Sequence, residues 1–572
     1  MILPYLMRMR LDSVDEEISM KEKTNGLLRL TALLTTLMLL LSGCSAERQT
    51  TQQMQIPTVT EEPYSEAAPA QEYMAGQASV IQSNSGVIQE ADLTVAYVAA
   101  PGSDLHPLRG NSRDLNSINQ LVFESVVELD ENLQPAPLLA DRWEFDGESW
   151  IFYLREGIVF HDGSPLTAYD VVASLEDIQL NEGTSPYADR IKYIREMDAL
   201  DERTLQVKGN GVGYMVLYAM TFPVVQRFSL NSTLPRGTGP YWYIRYDSFS
   251  MLRLERNPLW WKRQPSIASI NCIRYDETAD ALTALATGQA DVVATRDSAG
   301  ALSRQLSDRA TLDYATVTWE CMVPNLHNSI LSELTVRKAI MYAVDRTTLA
   351  DTVYLGMAQE SEVPVIPGSW LYETQSTQFN YNPERAYQLL TSSGWHDSDG
   401  DGVLDRIKDG MWEDLEITLV TYNEPGITIR EEACKLIAEQ LGRIGMKVNL
   451  ETVTKSGMKT KFKENTFDLA LVGFNLSEVP DLTFLLGEGE NGNCSEYASA
   501  DMDKLLENAK EAEDADGLKS ALSAVQMKVV EDLPVLGLFF RTGTLISKVS
   551  LGGLTGIRET HYLRGLEFCQ VD

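Results

Sequence analysis

The segment that most constrains this chain runs from Pro137 to Leu175, PLLADRWEFDGESWIFYLREGIVFHDGSPLTAYDVVASL. Within it, Trp150-Ile151-Phe152-Tyr153-Leu154 is a short, β-rich, apolar run bounded by Asp146-Gly147 and Glu156-Gly157, which predicts a strand buried on both faces. Asp162-Gly163 then makes a turn. Beyond it, Thr167 precedes Asp170 at capping spacing, and Val171, Leu175 and Ile178 recur at helical intervals, so a helix is expected to start near Ala168. The neighbouring pair His161-Asp162 reads as turn chemistry, not as an acid–base couple.

Leu154 to Val171, LREGIVFHDGSPLTAYDV, closely resembles the signature segment of the family 5 extracellular solute-binding proteins, the oligopeptide, dipeptide and nickel-type receptors of ABC importers. Other blocks resemble the same family in the same order. Gly237-Thr238-Gly239-Pro240-Tyr241 lacks the Gly-Lys-Ser/Thr of a phosphate loop, and Pro240 removes an amide, so nucleotide binding is disfavoured. It matches the family's Gly-Thr-Gly-Pro-Tyr turn. Arg256-Asn257-Pro258-Leu259-Trp260-Trp261, the helix-like Ala281 to Asp291, the stretch Val336 to Arg346 and the strand-like Asp532 to Leu538 continue the series. The resemblance covers nearly all of 91–572. It implies an α/β, periplasmic-binding-protein-like type II fold, two hinged lobes around a ligand cleft plus an extra lobe. Lobe I is expected from 91–112 with 221–320 and 530–572, the extra lobe from 113–220, and the second cleft lobe from 321–529.

The N-terminus speaks of place. Lys21, Lys23 and Arg29 flank the apolar run Leu27 to Leu41, which is shorter than the roughly 20 residues of a spanning helix and fits a cleaved signal over 1–43. Asp12, Asp15, Glu16 and Glu17 are foreign to such a signal, which makes Met20 an alternative start. Leu41-Ser42-Gly43-Cys44 resembles a bacterial lipobox, implying a lipid on Cys44 and a position on the outer face of the cytoplasmic membrane. Residues 44–90, rich in Gln, Ser, Thr, Ala, Glu and Pro, read as a disordered tether. A net charge of −34 makes nucleic acid and anionic lipid poor partners. Cys272, Cys321, Cys434, Cys494 and Cys569 are scattered without CxxC spacing, so buried thiols are expected, with one bridged pair left open.

Cleft residues follow from the resemblance. Tyr97 ends the first strand, and Trp319, Asn325, Phe474, Asn475, Glu478 and Asp481 join it as candidate ligand contacts. In peptide-binding relatives the matching segment reads Trp-x-x-Asp-Tyr-x-x-Pro, with Gly473 or Phe474 here at the Trp position, and its Asp pairs with the peptide's ammonium. Here Ser477, Glu478 or Asp481 falls there, which puts peptide specificity in question. Arg337 reads as an internal ion pair in preference to a ligand contact.

Asp397, Asp399, Asp401 and Asp405 occupy positions 1, 3, 5 and 9 of a calcium loop around Gly402, with the Val403 carbonyl at position 7. Lys408 stands where the bidentate Glu belongs, so a structural calcium and a solvated hairpin turn both remain readings. No other cofactor is expected. The inferred action is capture of a small solute, a peptide or peptide-like nutrient, and delivery to ABC permease subunits by a monomer. A peptide-signal receptor uncoupled from transport, or a carrier of a metal chelate or sugar, shares these features. A hydrolase does not, because the five histidines are isolated and neither HExxH nor Gly-x-Ser-x-Gly occurs.

Overall fold

Two long strands rich in β-branched and aromatic residues organise the molecule: Ala310–Pro324, ATLDYATVTWECMVP, and Leu536–Ser547, LGLFFRTGTLIS. In the computed structural model, which describes residues 91–571 apart from 111, 297, 305–307 and 425–427, they pair antiparallel at the middle of an eleven-stranded sheet. The expected signal segment, Cys44 and the tether lie outside the described residues. On one side the sheet continues through Leu469–Asn475, Glu416–Tyr422 and Lys447–Val453. On the other it runs through Val292–Thr295, Ala91–Val98, Ile267–Tyr275, Met251–Arg256 and Tyr241–Asp247.

The crossing strands change company halfway. Residues 539–541 of the second pair with Ala358–Glu360, and residues 544–547 pair with Val292–Thr295. Opposite this change, the register of the first strand slips between Ala315 and Trp319. Such a bulge bends and twists a strand locally, so residues 316–318, opposite Arg541, mark the passage of the crossing strands from one lobe to the other. Beyond the bulge, Glu320 is wholly buried and accepts two bonds from Arg430, at 3.0 and 2.9 Å, while Arg541 Nε lies 2.6 Å away. Gly473, on the neighbouring strand, makes the room: a Cβ there would sit 2.7 Å from Arg430 and 2.9 Å from Glu320.

The second cleft lobe contains a βαβ unit. Helix Ile429–Gly442 connects the parallel strands Glu416–Tyr422 and Lys447–Val453, buries Ala433, Cys434, Ile437 and Leu441, and leaves its Glu- and Lys-bearing face in solvent. Arg337 does not form the expected ion pair. Its guanidinium donates to the carbonyls of Leu331, Ser332 and Asp532 at 2.7–2.9 Å, and Asp532 ends helix Ala515–Asp532, whose orphan carbonyls need such donors.

The extra lobe carries its own antiparallel sheet, ordered Ala140–Phe145, Trp150–Leu154, Thr204–Gly209 and Ile194–Ala199. Here the expectation of burial on both faces is corrected. Trp150, Phe152 and Leu154 are buried but Ile151 and Tyr153 only half so, because an antiparallel sheet can leave one face to water. Arg142 stacks 3.9 Å over Tyr153 on that outer face. Helix Ala168–Leu180 starts where its capping pattern put it. The Asp170 carboxylate reaches back to the Thr167 N–H at 3.0 Å, and its other oxygen accepts from the Arg227 N–H at 3.0 Å. Asp170→Ala therefore loses a cap and strands a half-buried amide, and we expect a cost of about 2 kcal/mol, measured as a lower urea midpoint at unchanged slope.

The Gly-Thr-Gly-Pro-Tyr turn and the Asn-Pro-Leu-Trp-Trp block are fasteners. Both converge on the fully buried Glu124 carboxylate, which accepts from Thr238 Oγ1 at 2.8 Å, Trp260 Nε1 at 3.2 Å and Trp261 Nε1 at 2.9 Å. Gly237 allows the approach, since a Cβ there would stand 2.0 Å from the Val122 carbonyl. His161 and Asp162 behave as turn residues: Asp162 accepts from Ser164 and Gln226, and burial pushes the His161 pKa down to about 4. All five described cysteines are free thiols. Among the described residues no helix is long and apolar enough to cross a membrane.

Candidate ligand cleft

Where strand Leu469–Asn475 leaves the sheet, the chain turns through Leu476 to Leu482 into the short helix Thr483–Leu486. This loop, the proline-rich segment Pro364 to Leu371 and the segment Gly556 to Thr560 enclose a cavity of about 310 Å³, with Leu129, Glu131, Leu133 and Tyr218 of the extra lobe as its far wall. That volume is at the small end of the roughly 300–1,000 Å³ typical of small-molecule sites. Val317, from the bulge of the first crossing strand, lines it too, so the cavity lies directly against the hinge.

The lobes meet around it. Arg190 Nη2 lies 2.7 Å from Glu478, and Thr560 donates to the other oxygen of the same carboxylate. Tyr193 donates its hydroxyl to Asp481 at 2.9 Å. Trp370 donates its backbone N–H to the Asn132 carbonyl and its indole N–H to Tyr218, both at 2.9 Å. Burial alone would raise the Glu478 carboxyl, but Arg190 and Arg558 outweigh it and hold the group below the usual carboxylate range. Burial, reinforced by the Asp481 charge, pushes the Tyr193 phenol well up, so it remains a donor. Arg558 Nη1 donates to the carbonyls of Leu129 and Asp130 at 3.1 and 3.3 Å, while its buried Nε has no hydrogen-bond partner among the described residues.

Of the seven contacts expected from sequence, Glu478 and Asp481 line the cavity and five do not. Tyr97 is 1 % exposed, in a strand paired on both sides, and belongs to the core. Trp319 is fully buried with its indole N–H on the Ser361 carbonyl. Asn325 ties a loop together, donating to the Phe467 carbonyl at 2.8 Å and accepting from the His327 N–H at 3.0 Å. Phe474 is half-buried opposite Trp319, and Asn475 accepts from Thr318 Oγ1 at 2.9 Å. The common reason is that loops leaving the sheet line the cavity, whereas four of these residues sit within strands and Asn325 fastens a turn. Of the residues that do line it, Trp370, Arg558 and Thr560 lie in segments whose only sequence signal is loop composition, as in Pro364-Val-Ile-Pro-Gly368, while Tyr218 lies in the short buried helix Val216–Ala219.

Asp397, Asp399 and Asp401 each bring a carboxylate oxygen within 4.8 Å of the others, far from the cavity in sequence and in lining. Val403 follows them in the same loop, and Asp405 opens the strand Asp405–Lys408.

Two lobes joined by a pair of crossing strands, closing on a small cavity beside the hinge, are the build of a type II binding protein with an added lobe. The chain belongs to the bacterial extracellular solute-binding proteins of family 5, whose middle region matches residues 134–493. It is a solute-binding protein, not an enzyme. It is 26 % identical over 507 residues to the oligopeptide-binding protein AppA of Bacillus subtilis, covering 81 % of this chain and 89 % of that one. Heme-binding protein A of Haemophilus influenzae is 23 % identical over 439 residues, covering 69 % and 77 % of the two chains. The fold matches a nickel ABC transporter protein from Bacillus halodurans with a TM-score of 0.72 at 20 % identity, over 83 % of this chain and 98 % of that one. It also matches Bacillus subtilis AppA in complex with a nonapeptide, with a TM-score of 0.59 at 21 % identity over 85 % and 99 %.

Proposed function

We propose that this protein is a lipid-anchored receptor on the outer face of the cytoplasmic membrane that captures a short peptide or peptide-like nutrient and hands it, as a closed monomer, to an ABC permease. The observation that carries the reading is the cavity enclosed between bridged lobes beside a two-strand hinge. Such closure responds to a solute that contacts both lobes in one state only, so binding energy becomes a shift of the open–closed equilibrium. The mostly apolar wall suits side chains of varied shape. The Arg558 guanidinium lines the cavity, and its positive charge suits a ligand carboxylate or carbonyl oxygen. A second reading, a non-peptide solute such as a metal chelate, is favoured by one feature: both loop carboxylates that could take a peptide ammonium already have partners across the cleft.

Native followed by denaturing mass spectrometry, before and after incubation with a growth-medium extract, tests the choice. A mass gain resolving into short peptides supports the first reading. A gain resolving into one non-peptide molecule replaces it with the second, and no gain under any condition overturns capture itself.

A further inference from the structure

We propose that the loop Asp397 to Asp405 is a calcium site that pins the exposed hairpin of the second cleft lobe to its core. The geometry begins with three carboxylates at alternate positions, each contributing an oxygen to a cluster no wider than 4.8 Å. Oxygens held around one cation at the 2.3–2.6 Å of calcium ligation span about that distance at most. The independent observation is Asp405. It is 6 % exposed, its Oδ2 accepts from the Ser398 N–H at 3.0 Å, which turns the carboxylate onto the loop between Asp397 and Asp399, and its Oδ1 is buried without a hydrogen-bond donor among the described residues. A buried carboxylate oxygen left bare costs free energy, and a hard cation satisfies it. Asp405 is not one of the three whose oxygens gather within 4.8 Å, and position 9 of a calcium loop commonly reaches its ion through a water.

The basic residues of the adjoining hairpin do not supply that charge. Arg406 is spent on Glu333 and Glu413 at 2.6 and 2.7 Å. Lys408, in place of the twelfth-position Glu, turns to the Ser329 carbonyl at 3.2 Å and to Glu333. The missing bidentate ligand therefore leaves positions for water, and the site is expected to be weaker than one with all its protein ligands. Its structural leverage comes from Leu404, which is buried between the loop and the core, with its N–H on the Gly445 carbonyl and its carbonyl accepting from Leu415. Trp395, buried two residues before Asp397, provides a reporter.

The test uses the whole protein stripped with a chelator and then dialysed. Calorimetric titration with calcium chloride is expected to show one bound ion, terbium to show luminescence on tryptophan excitation, and calcium to raise the melting temperature by about 2 °C or more once in large excess over its dissociation constant. Asp399→Asn with Asp401→Asn, and separately Asp405→Asn, are expected to lose all three signals. Asp409→Asn, just outside the loop, is expected to keep them. Absence of calcium binding up to about 10 mM, weaker than even extracellular modules, in a protein with unchanged circular dichroism overturns the proposal. So does equal binding of magnesium, or binding that survives both sets of loop substitutions.

Discussion

Glu320→Ala is expected to lower stability by roughly 3–5 kcal/mol, because it leaves the Arg430 and Arg541 guanidinium groups in the protein interior without their shared carboxylate. Arg430 keeps a contact to Glu424 at 2.9 Å, but Arg541 has Glu320 as its ion-pair partner. The change reads out as a lower urea midpoint with an unaltered slope. If the loss comes from stranded charge and not from a cavity, Glu320→Gln with both Arg430→Met and Arg541→Met should restore a substantial part of it, since a buried pair is worth little against apolar side chains of similar volume. A triple variant as unstable as the single one would assign the loss to packing around Trp319 and Gly473 instead.

The same carboxylate carries a pH signature. Burial acts to raise its pKa, yet Arg541 and Arg430 together hold it below its ordinary value of 4.5. A folded-state pKa below the unfolded one gives stability that is complete above the unfolded pKa and is lost as pH falls through the folded one. Wild-type protein is therefore expected to lose stability more steeply below about pH 4.5 than Glu320→Gln does, although it starts from a higher value.

What the sequence revealed followed the range of its signals. Elements with a local cause stood where expected: the Thr167–Asp170 cap starts its helix at Ala168, and the apolar run Trp150 to Leu154 is a strand. Buried charges were legible as charges but not as partners, because pairing depends on contacts remote in sequence. Glu320 meets Arg430 and Arg541 at separations that no periodicity records, and Arg337 proved to bind carbonyls instead of a carboxylate. The cleft was the least legible part. Four strand-borne candidates were absorbed into the sheet or its edge, while Arg558 and Trp370, in irregular segments, line the cavity. Glu478 and Asp481 reached it since their loop continues a strand already fixed by the sheet, but the cations and donors they meet come from remote segments, Arg190 and Tyr193 of the extra lobe and Thr560 near the C-terminus.

Arg190→Met and Glu478→Gln are each expected to weaken ligand binding by roughly tenfold or more, because either one removes the charge pair that bridges the extra lobe and the second cleft lobe. A protein whose closed form is populated less binds every ligand more weakly in proportion, so small-angle scattering of the ligand-free variants should show a larger radius of gyration as well. The sign for Arg190→Met is the decisive part. Were Glu478 the anchor for a ligand ammonium, Arg190 would be its competitor, and removing the arginine would free the carboxylate and tighten binding of an amine-bearing ligand while Glu478→Gln loosened it. With Glu478 as a closure contact the two changes act alike, and the double variant binds about as weakly as either single one, since the second substitution removes an interaction already gone. Ligand titrations on the two single variants and the double therefore separate a latch from an anchor whatever the chemical identity of the solute, provided the same extract-derived ligand is used throughout.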